Sequence, residues 1–222
     1  MFLAKLVGMV RNLAVPNLSE GEPGQPLALN ARGELLCAQS LPPKSALATL
    51  GNTWQVSIAT GQAFTHVAAW PTTRAELLLW NGEAAGGKTY IIDALWYANV
   101  ATSVAAATQG TLLAQLVPVA TAPTDDANQL IVSRCGRGTN YQGKARRAVA
   151  NTSYGIASKW EVVGQFGSGS STATIGMGCY ADLFGGWLVP PGAVFLANAA
   201  LGTAAGTGSL GIVWHEVQMP IP

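Results

Sequence analysis

Eight residues near the middle of the chain match the phosphate-binding P-loop pattern G-x-x-x-x-G-K-[ST], with Gly82, Gly87, Lys88 and Thr89 at its fixed positions. In a P-loop, backbone N–H groups of the glycine-rich turn surround the phosphates and the lysine contacts them. A helix begins directly after the loop, with its N-terminus facing the ligand. Phosphate binding by these residues would therefore require a strand before the loop and a helix after it.

The residues around the pattern supply the strand but not the helix. Residues 75–80, AELLLW, are typical of a buried strand, and residues 89–97, TYIIDALWY, are rich in β-branched and aromatic residues that also favour a strand. The rest of the chain lacks the alternating strands and helices of a nucleotide-binding domain. We therefore predict a glycine-rich hairpin between two central strands, with Lys88 as a loop charge. A P-loop nucleotide-binding enzyme remains an alternative.

Few other residues are candidates for catalysis or for binding a cofactor or metal. Residues 206–211 match G-x-G-x-x-G, but they precede a strand-like segment instead of opening a helix. The chain has two histidines, His66 and His215, and the latter is followed by Glu216. Neighbours on a strand point to opposite faces, so His215 and Glu216 should not share a site. We expect no catalytic residue, no metal site, no cofactor and no enzymatic activity.

The composition points towards association. Only 10% of the 222 residues are charged, against about 25% in typical soluble proteins. No apolar run approaches the roughly 18 residues that would span a bilayer, so we expect no membrane partner. A net charge of +1 indicates no general attraction to nucleic acid. Because a monomer so poor in charge would tend to associate, we predict that copies of the chain or a larger assembly cover much of its surface.

Strand-like segments recur at short spacings from residue 47 onward, separated by glycine, proline, asparagine or serine. This pattern is typical of a sandwich or barrel. We predict an all-β fold, a jelly-roll-like antiparallel β-sandwich, over residues 46–222. Residues 1–45 carry five prolines, which disfavour helices and central strands. They predict an extended N-terminal arm containing a short hairpin.

Basic residues cluster between positions 134 and 147, where Arg137, Arg146 and Arg147 are prominent. Three interpretations are open: an exposed loop, an electrostatic contact with a partner surface, or nucleic-acid binding. The last lacks support from a basic stripe elsewhere in the chain.

Three stretches resemble a known family: PLALNARGELL at residues 26–36, LLLWNGEAAGGKTYIID at 77–93 and WLVPPGAVF at 187–195. The first is similar to the start of many bacteriophage virion proteins. The second and third resemble jelly-roll proteins that decorate, or cement, the heads of tailed bacteriophages. The resemblance implies a jelly-roll body, commonly a homotrimer, seated on the capsid lattice by arms and loops. It implies no catalytic residues.

We therefore expect a structural virion protein, made in the host cytoplasm and located on the capsid surface, with itself and the major capsid protein as partners. The residues predicted to contact the capsid are Leu27, Leu29, Leu35, Leu36, Arg137, Arg146 and Arg147. Those predicted to line a trimer axis are Ala199, Ala200 and Ala204. The main alternative is a receptor- or glycan-binding tail-spike or fibre head, with exposed aromatic residues Trp80, Tyr141, Tyr154 and Trp187.

Overall fold

The computed structural model describes residues 51–59, 62–65, 69–100, 109–134, 141–167, 178–201 and 207–218. The chain divides into two units, Met1–Ala46 and Leu47–Pro222, and every described residue belongs to the second. The predicted arm, with its four leucines, lies outside the described residues, as do Arg137 and Ala204. Those predictions stay predictions.

The described residues form an all-β fold, as the sequence predicts. The strands are β1 (Thr53–Ser57), β2 (Phe64–Thr65), β3 (Ala75–Asn81), β4 (Thr89–Asn99), β5 (Gln109–Pro118), β6 (Ile131–Ser133), β7 (Ala145–Asn151), β8 (Glu161–Gly167), β9 (Gly178–Val189), β10 (Ala193–Leu201) and β11 (Thr207–Val217). Within the described ranges the helical content is one 3-10 turn, Ala157–Lys159.

The strands form two antiparallel sheets. The first has the order β6-β1-β11-β4-β9, with β2 pairing β11, and the second has the order β7-β3-β10-β5-β8. Four pairs are nested along the chain: β1 with β11, β3 with β10, β4 with β9, and β5 with β8. This nesting, divided between two sheets, is that of a jelly roll, in which one long hairpin is rolled upon itself. The predicted fold class is confirmed. In addition, β6 forms an edge of the first sheet and β7 forms an edge of the second.

The core lies between the sheets because successive residues of a strand face opposite sides. On β3, Leu77 and Leu79 join the cluster between the sheets, which includes Phe195 and Trp214. Leu78, on the other face of β3, belongs to a second apolar cluster. All three leucines are fully buried, and each such side chain contributes about 1.5–3 kcal/mol to folding. The second sheet thus carries a core on both of its faces.

A bulge interrupts the first sheet at the middle of β4. The pairing with β11 and with β9 passes directly from Ile92 to Ala94, which leaves Asp93 as the extra residue. On β9 the partners jump from Asp182 to Trp187, so the four residues between them are left out of the pairing with β4. Two of the four, Phe184 and Gly185, have positive φ angles of 51° and 70°. Such bulges bend an edge strand and redirect its side chains.

The glycine-rich connection between β3 and β4 differs from the prediction in one respect. The two strands belong to different sheets, so residues 82–88 cross from one sheet to the other and do not form a hairpin. Gly82 is required at the crossing, since a Cβ there would collide with the Lys144 carbonyl oxygen and the Trp80 ring. Gly86 has a φ of 80°, which favours glycine.

Candidate functional site

The P-loop-like lysine is engaged in an ion pair with a residue at the other end of the chain. Lys88 Nζ lies 3.0 Å from Oε2 of Glu216, a buried residue of β11. The hydroxyl of Tyr141 donates to the other carboxylate oxygen, Oε1, at 2.5 Å. A buried carboxylate is stable only when paired and hydrogen-bonded. Lys88 and Tyr141 meet that requirement, so Lys88 has a structural role in this fold.

The polar cluster around Glu216 is closed by a second tyrosine. The hydroxyl oxygens of Tyr90 and Tyr141 are 3.3 Å apart, and the backbone N–H of Ala145 donates to the Tyr141 oxygen. Burial raises the pKa of both phenols well above the ordinary value. The phenols therefore stay neutral and can donate hydrogen bonds. The arrangement fixes the end of β11 to the crossing between the sheets.

The geometry after the glycine-rich connection is not that of a P-loop. Thr89 is buried and is the first residue of β4, an eleven-residue strand. No helix N-terminus therefore stands behind Gly87 and Lys88, and this is the feature that would orient N–H groups toward a phosphate.

A second buried polar pair lies on the outward face of the first sheet. His215 Nδ1 is 2.9 Å from Asp93 Oδ2, and both residues are buried. Asp93 reaches His215 because the β4 bulge leaves it out of the ladder. The prediction that His215 and Glu216 serve different sites is confirmed, since their partners differ. Within the described ranges no group of three or more histidine, cysteine or acidic residues could hold a metal ion.

Of the three arginines predicted to contact the capsid, Arg146 and Arg147 are described, and both contact their own chain. Arg146 lies over the Trp80 ring, 5.3 Å from its centroid, and Nη1 donates to the Pro123 carbonyl oxygen at 3.1 Å. Arg147 Nη1 lies 2.9 Å from Asp125 Oδ2. Asp125 Oδ1 also accepts from the Arg147 N–H, which covers part of the outer edge of β7. A capsid contact by these arginines stays a prediction.

Two of the three alanines predicted to line a trimer axis, Ala199 and Ala200, are described. Ala199 and Ala200 belong to β10, the middle strand of the second sheet, and both are buried. Ala199 faces the space between the sheets, and Ala200 belongs to the cluster on the opposite face. A small residue on a central strand allows close packing within one chain. Ala199 and Ala200 are thus packed within their own chain, Ala204 lies outside the described residues, and the trimer axis stays a prediction.

The aromatic residues proposed for receptor or glycan contact are also not on open surface. Trp80, Tyr141, Tyr154 and Trp187 are all partly buried and pack against the apolar clusters. Other aromatic residues are exposed instead: Trp70 is 54% exposed, Tyr180 60% and Phe184 84%.

Exposed apolar residues follow β9 on the outward face of the first sheet. Tyr180 and Leu188 on β9 are paired directly with Trp96 and Ile91 on β4, and Phe184 lies between them in the bulge. The Trp96 ring lies flat over Gly211, where no Cβ would fit. We call these five residues the open face: Ile91, Trp96, Tyr180, Phe184 and Leu188. Exposed apolar patches of this kind mark interaction surfaces.

The backbone of Phe184 is unusual. Its φ of 51° is in the left-handed region, which bulky side chains rarely adopt. The Phe184 N–H donates to Asp182 Oδ1 at 2.9 Å, and this local turn helps to hold the conformation. Such outliers concentrate at functional positions. The strained backbone and the exposed ring therefore identify Phe184 as the central residue of the open face.

Sequence reasoning missed the open face because it treats residues 181–186, ADLFGG, as a break between two strands. In the structure β9 runs continuously from Gly178 to Val189. The sequence signal that could have indicated a bulge is the Asp182-Leu-Phe-Gly-Gly run, since an Asx turn followed by glycines suits positive φ angles.

Comparison with known proteins adds little. No family model matches the chain, and no curated protein matches it. Among solved structures, the chain has slight similarity to a chain described as "CryoEM structure of Mud Crab Dicistrovirus", with a TM-score of 0.22 and 11% identity, over 97% of this chain and 90% of that chain. A TM-score of this size does not establish a common fold. None of the described helical segments is long and apolar enough to cross a membrane.

Proposed function

We propose that this chain is a structural virion protein that decorates and stabilises a bacteriophage capsid by bridging capsomers as a homotrimer. Three observations support the proposal: the jelly-roll fold, the low content of charged residues, and the resemblance of residues 77–93 and 187–195 to head-decorating phage proteins. The role is mechanical. Each bound trimer adds contact area between neighbouring capsomers and opposes the outward pressure of packaged DNA.

The open face is the observation that carries the proposal. It places an aromatic residue that is 84% exposed, Phe184, between exposed Tyr180 and Leu188 on an edge strand. Aromatic residues are enriched at the cores of protein interfaces, and charged residues are depleted there. In the trimer the open face contacts a neighbouring copy, in place of the alanines of β10. The N-terminal arm then contacts the major capsid protein.

The test is sedimentation of the purified full chain with capsid particles of its own virus, followed by measurement of the bound fraction. The full chain should bind to saturation, and a chain lacking residues 1–45 should remain a folded trimer that no longer binds. A truncated chain that coats capsids normally would contradict the role of the arm. A full chain that does not bind any capsid would contradict the function itself.

A variant of the open face separates the two contacts. Phe184→Asp should abolish the trimer and weaken capsid binding, because three linked contacts bind more tightly than one. The matched control is Ile156→Asp, which changes an exposed apolar residue outside the open face. The control should remain trimeric and bind capsids as the unchanged protein does.

A further inference from the structure

A groove lined by both polar and apolar residues lies at one end of the second sheet, on its outward face. It has a volume of about 520 Å³, within the range of roughly 300–1,000 Å³ typical of small-molecule sites. Its lining residues are Trp70, Gln109, Gly110, Thr111, Gln165, Phe166, Gly167, Ala200 and Leu201. None of these residues takes part in the open face or in the ion pairs described above.

The register of three strands builds the floor of the groove. Thr111 of β5 lies opposite Gln165 of β8 and also opposite Ala200 of β10. Residues directly opposite one another on a sheet share a face. Small side chains at Thr111 and Ala200 leave a depression, and the amide of Gln165 stands beside it. Gln109, two residues before Thr111 on β5, continues the same polar row.

The support beneath the groove is rigid. Phe166 lies over Gly110, its partner on β5, in a position where any Cβ would collide with the ring. The Phe166 ring also stacks on the Tyr97 ring, with 4.3 Å between the two ring centroids. A ligand in the groove would therefore meet a preformed surface, which lowers the entropic cost of binding.

The chemistry of the lining favours a neutral saccharide. Among the described residues that line the groove no side chain is charged, so none of them offers an ion-pair partner to a phosphate, a carboxylate or an ammonium group. Two glutamine amides and a threonine hydroxyl can each both donate and accept, as the hydroxyls of a sugar do. Trp70, 54% exposed, offers a flat ring whose electron-rich face attracts the C–H groups of a sugar ring. We propose that this groove binds a neutral oligosaccharide, with Trp70 as the stacking platform and Gln165 and Gln109 as the hydrogen-bonding groups.

This inference is independent of the capsid role. A protein on the outside of a virion that holds a saccharide would retain particles at a glycan-coated surface. The proposal replaces the four partly buried aromatic residues suggested by the sequence with one exposed tryptophan in a formed groove.

The experiment is isothermal titration of the full chain with maltohexaose, cellohexaose and chitohexaose, with an oligomer of sialic acid as the anionic comparison. At least one neutral oligosaccharide should bind, and the anionic one should not. Trp70→Ala should weaken binding about tenfold or more, and Gln165→Ala about threefold to tenfold, as expected for the loss of one stacking platform and one hydrogen bond. Trp70→Phe should retain part of the affinity.

Leu130→Ala is the control, because it removes an exposed apolar side chain that lies outside the groove and outside the open face, and it should leave saccharide binding unchanged. Thermal unfolding of each variant shows whether it is folded. The proposal is overturned if no neutral oligosaccharide binds at millimolar concentration, if folded Trp70→Ala binds as well as the unchanged chain, or if only the anionic oligomer binds.

Discussion

The outward faces of the two sheets of this jelly roll differ in how far their apolar residues are covered. On the second sheet the outward face is covered: Leu78, Leu113 and Leu196 are fully buried there, with Trp160 packed among them. On the first sheet the outward face carries the open face, where Tyr180 and Phe184 are mostly exposed. On the first sheet the exposed apolar residues follow the edge strand β9, whereas Ala94 and Val213 further in are buried.

Part of the cover on the second sheet comes from the segment between β7 and β8. Trp160 Nε1 donates to the Thr72 carbonyl oxygen, and the Gln115 side chain exchanges two hydrogen bonds with the backbone of Ile156. These bonds hold the segment across the sheet. The segment between β7 and β8 covers part of the outward face of the second sheet. We propose that a neighbouring copy of the chain covers the open face of the first sheet.

The largest predicted effect contrasts one aromatic residue from each face. Trp160→Ala should lower the free energy of unfolding by about 3–5 kcal/mol, as for other buried aromatic truncations. Phe184→Ala should cost little in dilute protein, and its cost should grow with protein concentration because it weakens association. Urea unfolding at several protein concentrations measures both. If Phe184→Ala lowers the free energy of unfolding by the same amount at every protein concentration, the proposed difference between the two faces is wrong.

A second prediction concerns the polar cluster that fixes β11 to the crossing between the sheets. Tyr141→Phe should cost about 1–3 kcal/mol, because it leaves the buried Glu216 without one of its partners. Lys88→Met should cost only about 1 kcal/mol, since Lys88 is 42% exposed and water screens the pair. The measurement is again urea unfolding. Tight Mg-ATP binding that is lost in Lys88→Met would instead restore the P-loop alternative.

Stability should fall in alkaline solution. Burial raises the pKa of Tyr90, Tyr97 and Tyr141, so the folded state holds phenol protons that the unfolded chain loses near pH 10. The stability that these phenol protons contribute to the folded state is fully present below about pH 10 and is lost as the pH rises further. Unfolding midpoints at about pH 8 and about pH 11 measure the fall. Tyr141→Phe should reduce it, and an unchanged pH dependence would show that Tyr141 does not contribute.

The smallest predicted effect isolates the strain on the open face. Phe184→Gly should change the stability of the dilute protein by no more than about 0.5 kcal/mol, because relief of the positive φ offsets the greater entropy of the unfolded chain. The same change should abolish association. A dilute protein destabilised by several kcal/mol would show that the Phe184 ring is part of the core.

The sequence was sufficient for the fold class, since alternation along segments such as residues 54–58 and the turn residues between them predict a β-sandwich. It also indicated that residues 89–97 form a strand, which removes the helix that a P-loop needs. It did not reveal the partners of Lys88 and Asp93, because Glu216 and His215 are more than 120 residues away and meet them only through strand pairing. The open face was missed because a bulge within one strand resembles a turn between two.

The central claim is that the open face holds copies of this chain together. Light scattering of the full chain during size-exclusion chromatography tests it most directly, with Phe184→Asp measured beside it. The account predicts a mass three times the 22.9 kDa of one chain, and a folded monomer for the variant. A full chain that elutes at the mass of one copy, or a variant that remains trimeric, would contradict it.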